Sequence, residues 1–512
     1  MHYQKFSFLL VFIALTSAFT MPAYSEDGDS LTRIKELEAK MELMQQQRAE
    51  QEKQLDLVTK ELVGLENQLS QSKIATTEEK GNSKGSPVYG AFKDGVTLED
   101  GTGNWKLAIN GRVQTDYRTF SPSVDAADIF SLRRARLGGS LTLYKDYVAR
   151  VEGEYSGSST TLTYGYIDVN KFQAAKFRLG QFKPNYGLER TMSTNFTDFQ
   201  ERSMGDALLG STYDRGVMIY GSPTPGFNYS LAYLNGTGTI DKNNAKSDGK
   251  DATIRLTGNL SELMSWQNSV VHFGSFYADG NQSSRRVASF VPTGQTEGRG
   301  AQFFNTTCAI GAAVCGGTAA IANALKDDVN RTRNGLETAL AYGPVKLQSE
   351  LINTSFKGPS YSRNINAMYA SLIWNVTGEN FADMYKEGIF GRLKPKVNYK
   401  EGEMGWGAVQ IGVRYSKFDA SDFKRTNNAG TGVLLNTTLL TVGAAAADGL
   451  LVATNQAEAW TLGANWILNP NVRFMTNLIR TNYETPITVR VSGQNDTLDH
   501  EDALTMRAQF DF

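Results

Sequence analysis

"LTMRAQFDF", residues 504–512, repeats with a period of two. Leu504, Met506, Ala508, Phe510 and Phe512 fall on one face, and Thr505, Arg507, Gln509 and Asp511 on the other. Successive side chains of a strand point to opposite sides. The segment is therefore a strand with one face suited to hydrocarbon and one to water. Such alternation running into an aromatic last residue is expected of a barrel that crosses an outer membrane.

The same pattern recurs upstream. Val345, Leu347 and Leu351 oppose Lys346, Gln348 and Glu350; Trp460, Leu462, Ala464 and Trp466 oppose Thr461, Gly463 and Asn465. Val409, Ile411, Val413 and Tyr415 oppose Gln410, Gly412, Arg414 and Ser416. Period-two reading predicts sixteen strands, at 107–120, 133–144, 146–154, 164–170, 177–181, 217–221, 227–234, 251–259, 269–278, 335–341, 345–355, 368–375, 405–416, 458–467, 472–481 and 504–512. Short links ("YKD", "SPTPG", "YGP") roughly alternate with long ones (182–216, 279–334, 417–457), as they do between the two rims of such a barrel. The stretch 376–404 is long where a short turn is due. The expected fold is all-β, a 16-stranded antiparallel transmembrane β-barrel with an N-terminal α-helical coiled coil. A barrel of this size leaves a water-filled lumen rather than a packed core.

Composition agrees with that class. The chain has 22 Tyr, 26 Phe and 49 Gly but only 12 Pro and 2 Cys in 512 residues. Its mean hydropathy is −0.35. With 21% charged residues, a helical membrane protein is excluded. A soluble sandwich or propeller would alternate too; the number of strands and the nature of their polar faces favour the barrel. The net charge of −1 carries no argument for an acidic or basic partner, and no nucleic-acid partner is expected.

Residues 1–25 read as a signal peptide: Lys5, the apolar run "FSFLLVFIAL", then "AYS" before Glu26. The run is too short and interrupted for a spanning helix, which needs about 20 apolar residues. Residues 26–75 read as a periplasmic coiled coil. Ile34, Leu37, Met41, Met44, Arg48, Gln51, Leu55, Val58, Leu62, Leu65 and Leu69 alternate at spacings of three and four, a narrow seam that implies association. Residues 76–104 are expected as a linker and 105–512 as the barrel.

The pleat also sorts charge. In "FSLRRARLGGSLTLY", residues 130–144, Arg134 and Arg136 share a face with Ser140 and Thr142, opposite Ala135, Leu137 and Leu141. Arginine on the lipid face would cost about 2–4 kcal/mol at the midplane, so both are expected in the lumen, with Arg133 at the strand's end near a rim. Arg112, Arg150, Arg178, Arg255, Arg414 and Arg507 fall on inward faces as well, as do Asp116, Glu152, Glu154 and Glu350. Paired, these charges only brace the wall. Unpaired, they form a basic track that favours anions, and the guanidinium fork suits oxyanions. Arg134 and Arg136 are expected to be unpaired.

The stretches "KLAINGRVQTDYRTF", "DAADIFSLRRARLGGSL", "FRLGQFKPNYGLERTMST", "YASLIWNVTGENF", "YKEGIFGRLKPK" and "TLGANWILNPNVRF" resemble, in this order, the phosphate-selective porins O and P of Gram-negative outer membranes. The resemblance spans roughly residues 100–512. It implies a homotrimer in outer-membrane lipid, loops folded into each lumen, and passage of phosphate or other small anions along an arginine ladder to a lysine-lined site. By motif, Arg112, Arg133 and Arg134 match wall arginines; Arg190 matches a central lysine position, beside Ser193 and Thr194; Lys386 and Lys394 match two further central lysines. The infolded loop would contribute Arg285, Arg286 and Arg299. Arg136 stands where phosphate-binding members have a Tyr, and Thr163 where they have an Asp.

Chemistry of other kinds is absent from the sequence. The three histidines, 2, 272 and 500, are scattered, and no metal-ligand spacing, GxSxG or phosphate-binding glycine loop occurs. No enzyme activity, cofactor or metal is expected. Cys308 and Cys315, six residues apart, are expected to form a disulfide in an oxidising compartment. The expected function is passive diffusion of small anions, with phosphate or related oxyanions as cargo. The alternatives are a structural barrel tethered to the cell wall, with peptidoglycan as the coil's partner, and a general porin of little selectivity.

Overall fold

The computed structural model of the chain describes residues 87–92, 95–122, 128–239, 249–282, 293–304, 329–357, 362–401, 405–423, 449–452, 454–491 and 494–512. The expected signal peptide, the coiled coil, Arg285, Arg286, Cys308 and Cys315 lie outside these residues.

Sixteen strands form the wall: β1 (Trp105–Ser121), β2 (Ile129–Leu143), β3 (Tyr147–Glu154), β4 (Thr161–Phe172), β5 (Ala175–Phe182), β6 (Asp214–Thr224), β7 (Phe227–Leu234), β8 (Asp251–Asn259), β9 (Ser269–Gln282), β10 (Val329–Tyr342), β11 (Val345–Lys357), β12 (Ser362–Asn375), β13 (Ala408–Asp419), β14 (Gln456–Asn469), β15 (Val472–Val491) and β16 (Gln494–Asp511). Each overlaps one of the sixteen predicted segments. Every strand pairs antiparallel with the next, and β16 pairs with β1, Phe510 opposite Val113, so the sheet closes. Closure leaves no unpaired edge in hydrocarbon.

Outward positions are apolar and exposed: Leu347, Leu351, Leu462, Leu478, Met506 and Phe510 among them. Their neighbours Lys346, Glu350, Thr461, Asn477, Arg507 and Gln509 are buried against the contents of the lumen. The turns at one rim are tight. Between β10 and β11 only Gly343 and Pro344 intervene, and Gly343 at φ 53° supplies the positive φ that a two-residue hairpin needs at its first central position.

Two features differ from the sequence reading. Within the expected linker 76–104, Val88–Phe92 and Val96–Asp100 form a hairpin whose second strand adds to β1. Arg133 is not at a strand end: the register passes from Thr115 opposite Leu132 to Gln114 opposite Arg134, leaving Arg133 as the extra residue of a bulge. A bulge upsets strict alternation, so Arg133, Arg134 and Arg136 all reach the lumen.

Three segments enter the barrel. Residues 183–213 follow β5 and carry a short helix, Leu188–Thr191, and a 3-10 turn, Met204–Leu209. Residues 293–304 come from the same rim. Residues 376–401 come from the opposite, short-turn rim, where a short turn is expected. Met204, Leu208, Leu209, Phe303 and Phe304 pack on Phe276, Ile352, Phe356, Phe418 and Tyr483 of the wall. Leu188, Met192, Phe199, Phe381 and Phe390 form a second cluster against β9, β10 and β12. The β9–β15 side of the lumen is thereby filled, and open space is left along β1–β8.

Candidate functional site

Two cavities follow the β1–β8 wall. One, of about 340 Å³, lies towards the long-loop rim. The other, of about 610 Å³, lies towards the short-turn rim and includes Gly221 and Ser222 in the last part of β6 and Phe512, just past β16. Arg112, Tyr164, Lys183 and Ser193 line both, and so mark the narrowing between them.

They come from three parts of the chain. Arg112 is an inward residue of β1, and its Nη1 donates to Thr194 Oγ1 at 2.9 Å. Ser193 lies beside Thr194 on the infolded segment. Tyr164 is an inward residue of β4. Lys183 begins the infolded segment where it leaves β5, and its Nζ donates to the carbonyls of Thr191 (2.9 Å) and Met192 (2.8 Å). Among the described residues, neither Arg112 nor Lys183 has a carboxylate at ion-pair distance. Burial, followed by the guanidiniums of Arg202, Arg190 and Arg112, pushes the Lys183 ammonium well below the usual lysine range.

The arginines of "RRAR" are held differently. Arg136 sits opposite Glu154 in the β2–β3 register. Its Nε donates to Glu154 at 2.6 Å, and its Nη1 lies 3.4 Å from Glu152. Arg133 is 2.8 Å from Glu201 of the infolded segment. Arg134 is 3.7 Å from Glu201 and donates to Gln114 at 2.8 Å. The expectation that Arg134 and Arg136 are unpaired is therefore corrected: the strand register and the infolded segment each bring up a carboxylate. Glu201 also lies 2.7 Å from Arg507 and 3.4 Å from Arg118. Burial pushes the Glu201 carboxyl up, but Arg133, Arg134 and Arg507 outweigh it and hold it well below the usual range.

The remaining expected positions separate. Arg190 is buried, donates to the Asp206 carboxylate and to Gly210 O at 3.2 Å, and lines neither cavity. Lys386 is exposed in the larger cavity, with no ion-pair partner among the described residues. Lys394 is exposed and lines neither cavity. Arg299 lies in the smaller cavity, where burial and Arg133 lower its guanidinium from the ordinary range. His272 is buried in the wall beside the segment 376–401, its Nδ1 2.6 Å from Tyr385 Oη and its Nε2 3.2 Å from Glu337.

Positive charge still exceeds negative around the path. The smaller cavity is lined by Arg112, Arg133, Arg134, Arg136, Lys183, Arg202 and Arg299 against Glu201, Asp206 and Glu297. Lys183 is the residue that sequence reasoning missed. It stands in the quoted "GQFKPNYG", but it lies just past the strand, where alternation no longer says which way a side chain points.

The family model described as phosphate-selective porin O and P matches residues 107–512. Porin O of Pseudomonas aeruginosa is 25% identical over 447 residues, covering 84% of this chain and 93% of that protein. Among solved structures, an anion-selective porin from Comamonas acidovorans is 13% identical with a TM-score of 0.47, over 80% of this chain and 100% of that one. OmpT of Vibrio cholerae is 12% identical with a TM-score of 0.46, over 80% and 98%. With the family matched across the whole wall and its infolded segments, the chain belongs to the phosphate-selective porin O and P family.

Proposed function

We propose that the protein is an outer-membrane channel through which small anions diffuse passively. The observation that supports this most is the narrowing: Arg112 and Lys183 meet there without a carboxylate partner among the described residues. A water-filled constriction walled by protein strengthens the field of such charges, so anions are favoured over cations on passage. Ser193 and Thr194 add hydroxyl groups beside the cations, donors and acceptors of the kind that can replace part of an oxyanion's hydration. Phosphate and related oxyanions are the proposed cargo.

The pairing of Arg133, Arg134 and Arg136 with carboxylates supports a second, broader reading, a channel that passes many small anions with little preference for phosphate. A reversal potential across a KCl gradient, with phosphate then titrated against the chloride current, separates them. The anion reading requires an anion-selective potential. The phosphate reading further requires block by phosphate at concentrations that leave other small anions without effect.

On this reading the short-turn rim faces the periplasm and the long-loop rim the outside. The chain is proposed to assemble as a homotrimer, and residues 26–75 are proposed to form a periplasmic coil that helps hold it together; contact of that proposed coil with peptidoglycan is the alternative role. Deleting residues 26–80 should weaken trimer assembly in gentle detergent and leave the barrel folded. A trimer of unchanged stability after that deletion would refute the assembly role.

A further inference from the structure

The two cavities differ in chemistry. The smaller one is ionic and polar. The larger one carries a column of inward tyrosines on the two strands that flank β5: Tyr164 and Tyr166 on β4 and Tyr220 on β6. Guanidinium groups lie over their rings. Arg150 is 4.7 Å from the centroid of Tyr164, and Arg178 is 4.0 Å from Tyr166 and 4.9 Å from Tyr220. Tyr164 and Tyr166 meet edge to face at 5.9 Å. All of these side chains are partly exposed to the cavity.

The charges along this column are largely cancelled. Arg178 makes two hydrogen bonds to Asp168, at 2.7 and 2.8 Å, and Arg150 donates to Glu152 at 2.9 Å. The column therefore attracts an inorganic anion weakly, and ring faces give such an anion no hydrogen bonds. It presents flat, polarizable surface, rings and guanidinium planes together, which favours a planar π-system. Cations at ion-pair distance from no described carboxylate lie at its upper end, on Arg112 and Lys183, where Tyr164 reaches the narrowing.

We propose that the larger cavity is a binding site for aromatic carboxylates, the carboxylate seated on Arg112 and Lys183 and the ring against Tyr164, Tyr166 and Tyr220. The inference rests on the anion-channel reading and gives it a substrate class. A cavity of about 610 Å³ accommodates a single-ring acid with its water.

The test uses the full-length protein in planar bilayers, with benzoate, cyclohexanecarboxylate and acetate titrated as blockers of the chloride current. The three carry the same charge, so their differences report the body of the molecule. Benzoate is expected to half-block at a concentration at least tenfold lower than acetate, about 1.4 kcal/mol, and lower than cyclohexanecarboxylate. Replacing Tyr166→Leu with Tyr220→Leu should reduce the benzoate-to-acetate gap to threefold or less, while Tyr166→Phe with Tyr220→Phe should keep it. Equal block by benzoate and acetate overturns the proposal, as does a gap that survives the leucine pair. If the leucine pair fails to insert, the native channel decides alone: equal block by benzoate and cyclohexanecarboxylate overturns the aromatic assignment. A KCl reversal potential without anion preference refutes the channel reading itself, whatever the blockers do.

Discussion

Arg133 on the bulge of β2 and Glu201 on the infolded segment are joined by two hydrogen bonds, from Nε at 2.8 Å and from Nη2 at 3.2 Å. Arg118, Arg134 and Arg507 converge on the same carboxylate. One acidic side chain thus fastens the segment to the wall and cancels part of the wall's positive charge. Glu201→Gln keeps the shape and removes the charge. The chloride-to-potassium permeability ratio should rise several-fold, since the guanidiniums then face the lumen with less compensation. The same change should loosen the segment, because an amide keeps only part of the bonding that the carboxylate makes to these guanidiniums. Noisier open-channel current with a higher ratio is the expected record. An unchanged ratio would mean that these arginines do not face the ion path.

At the narrowing the opposite change is informative. Arg112→Glu or Lys183→Glu places a carboxylate where the proposal needs a cation. Each should move the KCl reversal potential towards potassium, and each factor of ten in the ratio corresponds to about 1.4 kcal/mol. Lys394→Glu, outside both cavities, should move it much less. Equal effects at all three positions would show that the ions feel the overall charge and not this narrowing.

The pH dependence has a definite sign. Lys183 is held below the usual lysine range, so it loses its proton at a lower pH than an exposed lysine does. It carries its charge below its own pKa and is neutral above it. Anion selectivity should therefore decline as pH rises through a range in which ordinary lysines are still charged. In Lys183→Met that part of the decline should be missing. A native channel whose selectivity is flat up to the ordinary lysine range would contradict the role given to Lys183.

The wall was legible in the sequence because a strand with lipid on one side and water on the other must alternate. The inward positions of Arg112, Arg150, Arg178, Arg414 and Arg507 follow from that rule alone. What the rule could not give is anything set by register or by a third element. Arg136 meets Glu154 because the turn at 144–146 fixes the β2–β3 offset, and no feature within either strand specifies it. Arg133 escapes parity through a bulge, which shows only when β1 is laid beside β2. Lys183 and Glu201 lie on a segment whose path follows from its packing inside the barrel. Arg190, matched to a central lysine by motif, turns instead to Asp206, a partner from the same segment.

That packing yields a last prediction. Leu208 and Leu209 are 1% exposed and sit among Phe303, Phe304 and the wall residues Ile352 and Phe356. The backbone there is also fixed: Leu208 O accepts from Thr354 Oγ1 at 3.0 Å and Leu209 O from Arg333 Nη1 at 2.9 Å. Leu208→Ala removes apolar packing and leaves those two bonds. Truncating a buried leucine costs about 2–5 kcal/mol. The closed ladder of the barrel does not depend on this side chain, so the loss should fall on the infolded segment. The expected phenotype is a folded barrel with the usual resistance to detergent, a larger and noisier conductance, and reduced anion selectivity, because Ser193, Thr194 and Glu201 ride on the same segment. Conductance and noise equal to those of the native channel would mean that the polar fastenings alone, Glu201 with its arginines and Lys346 with Asp198 at 2.7 Å, hold the narrowing in place.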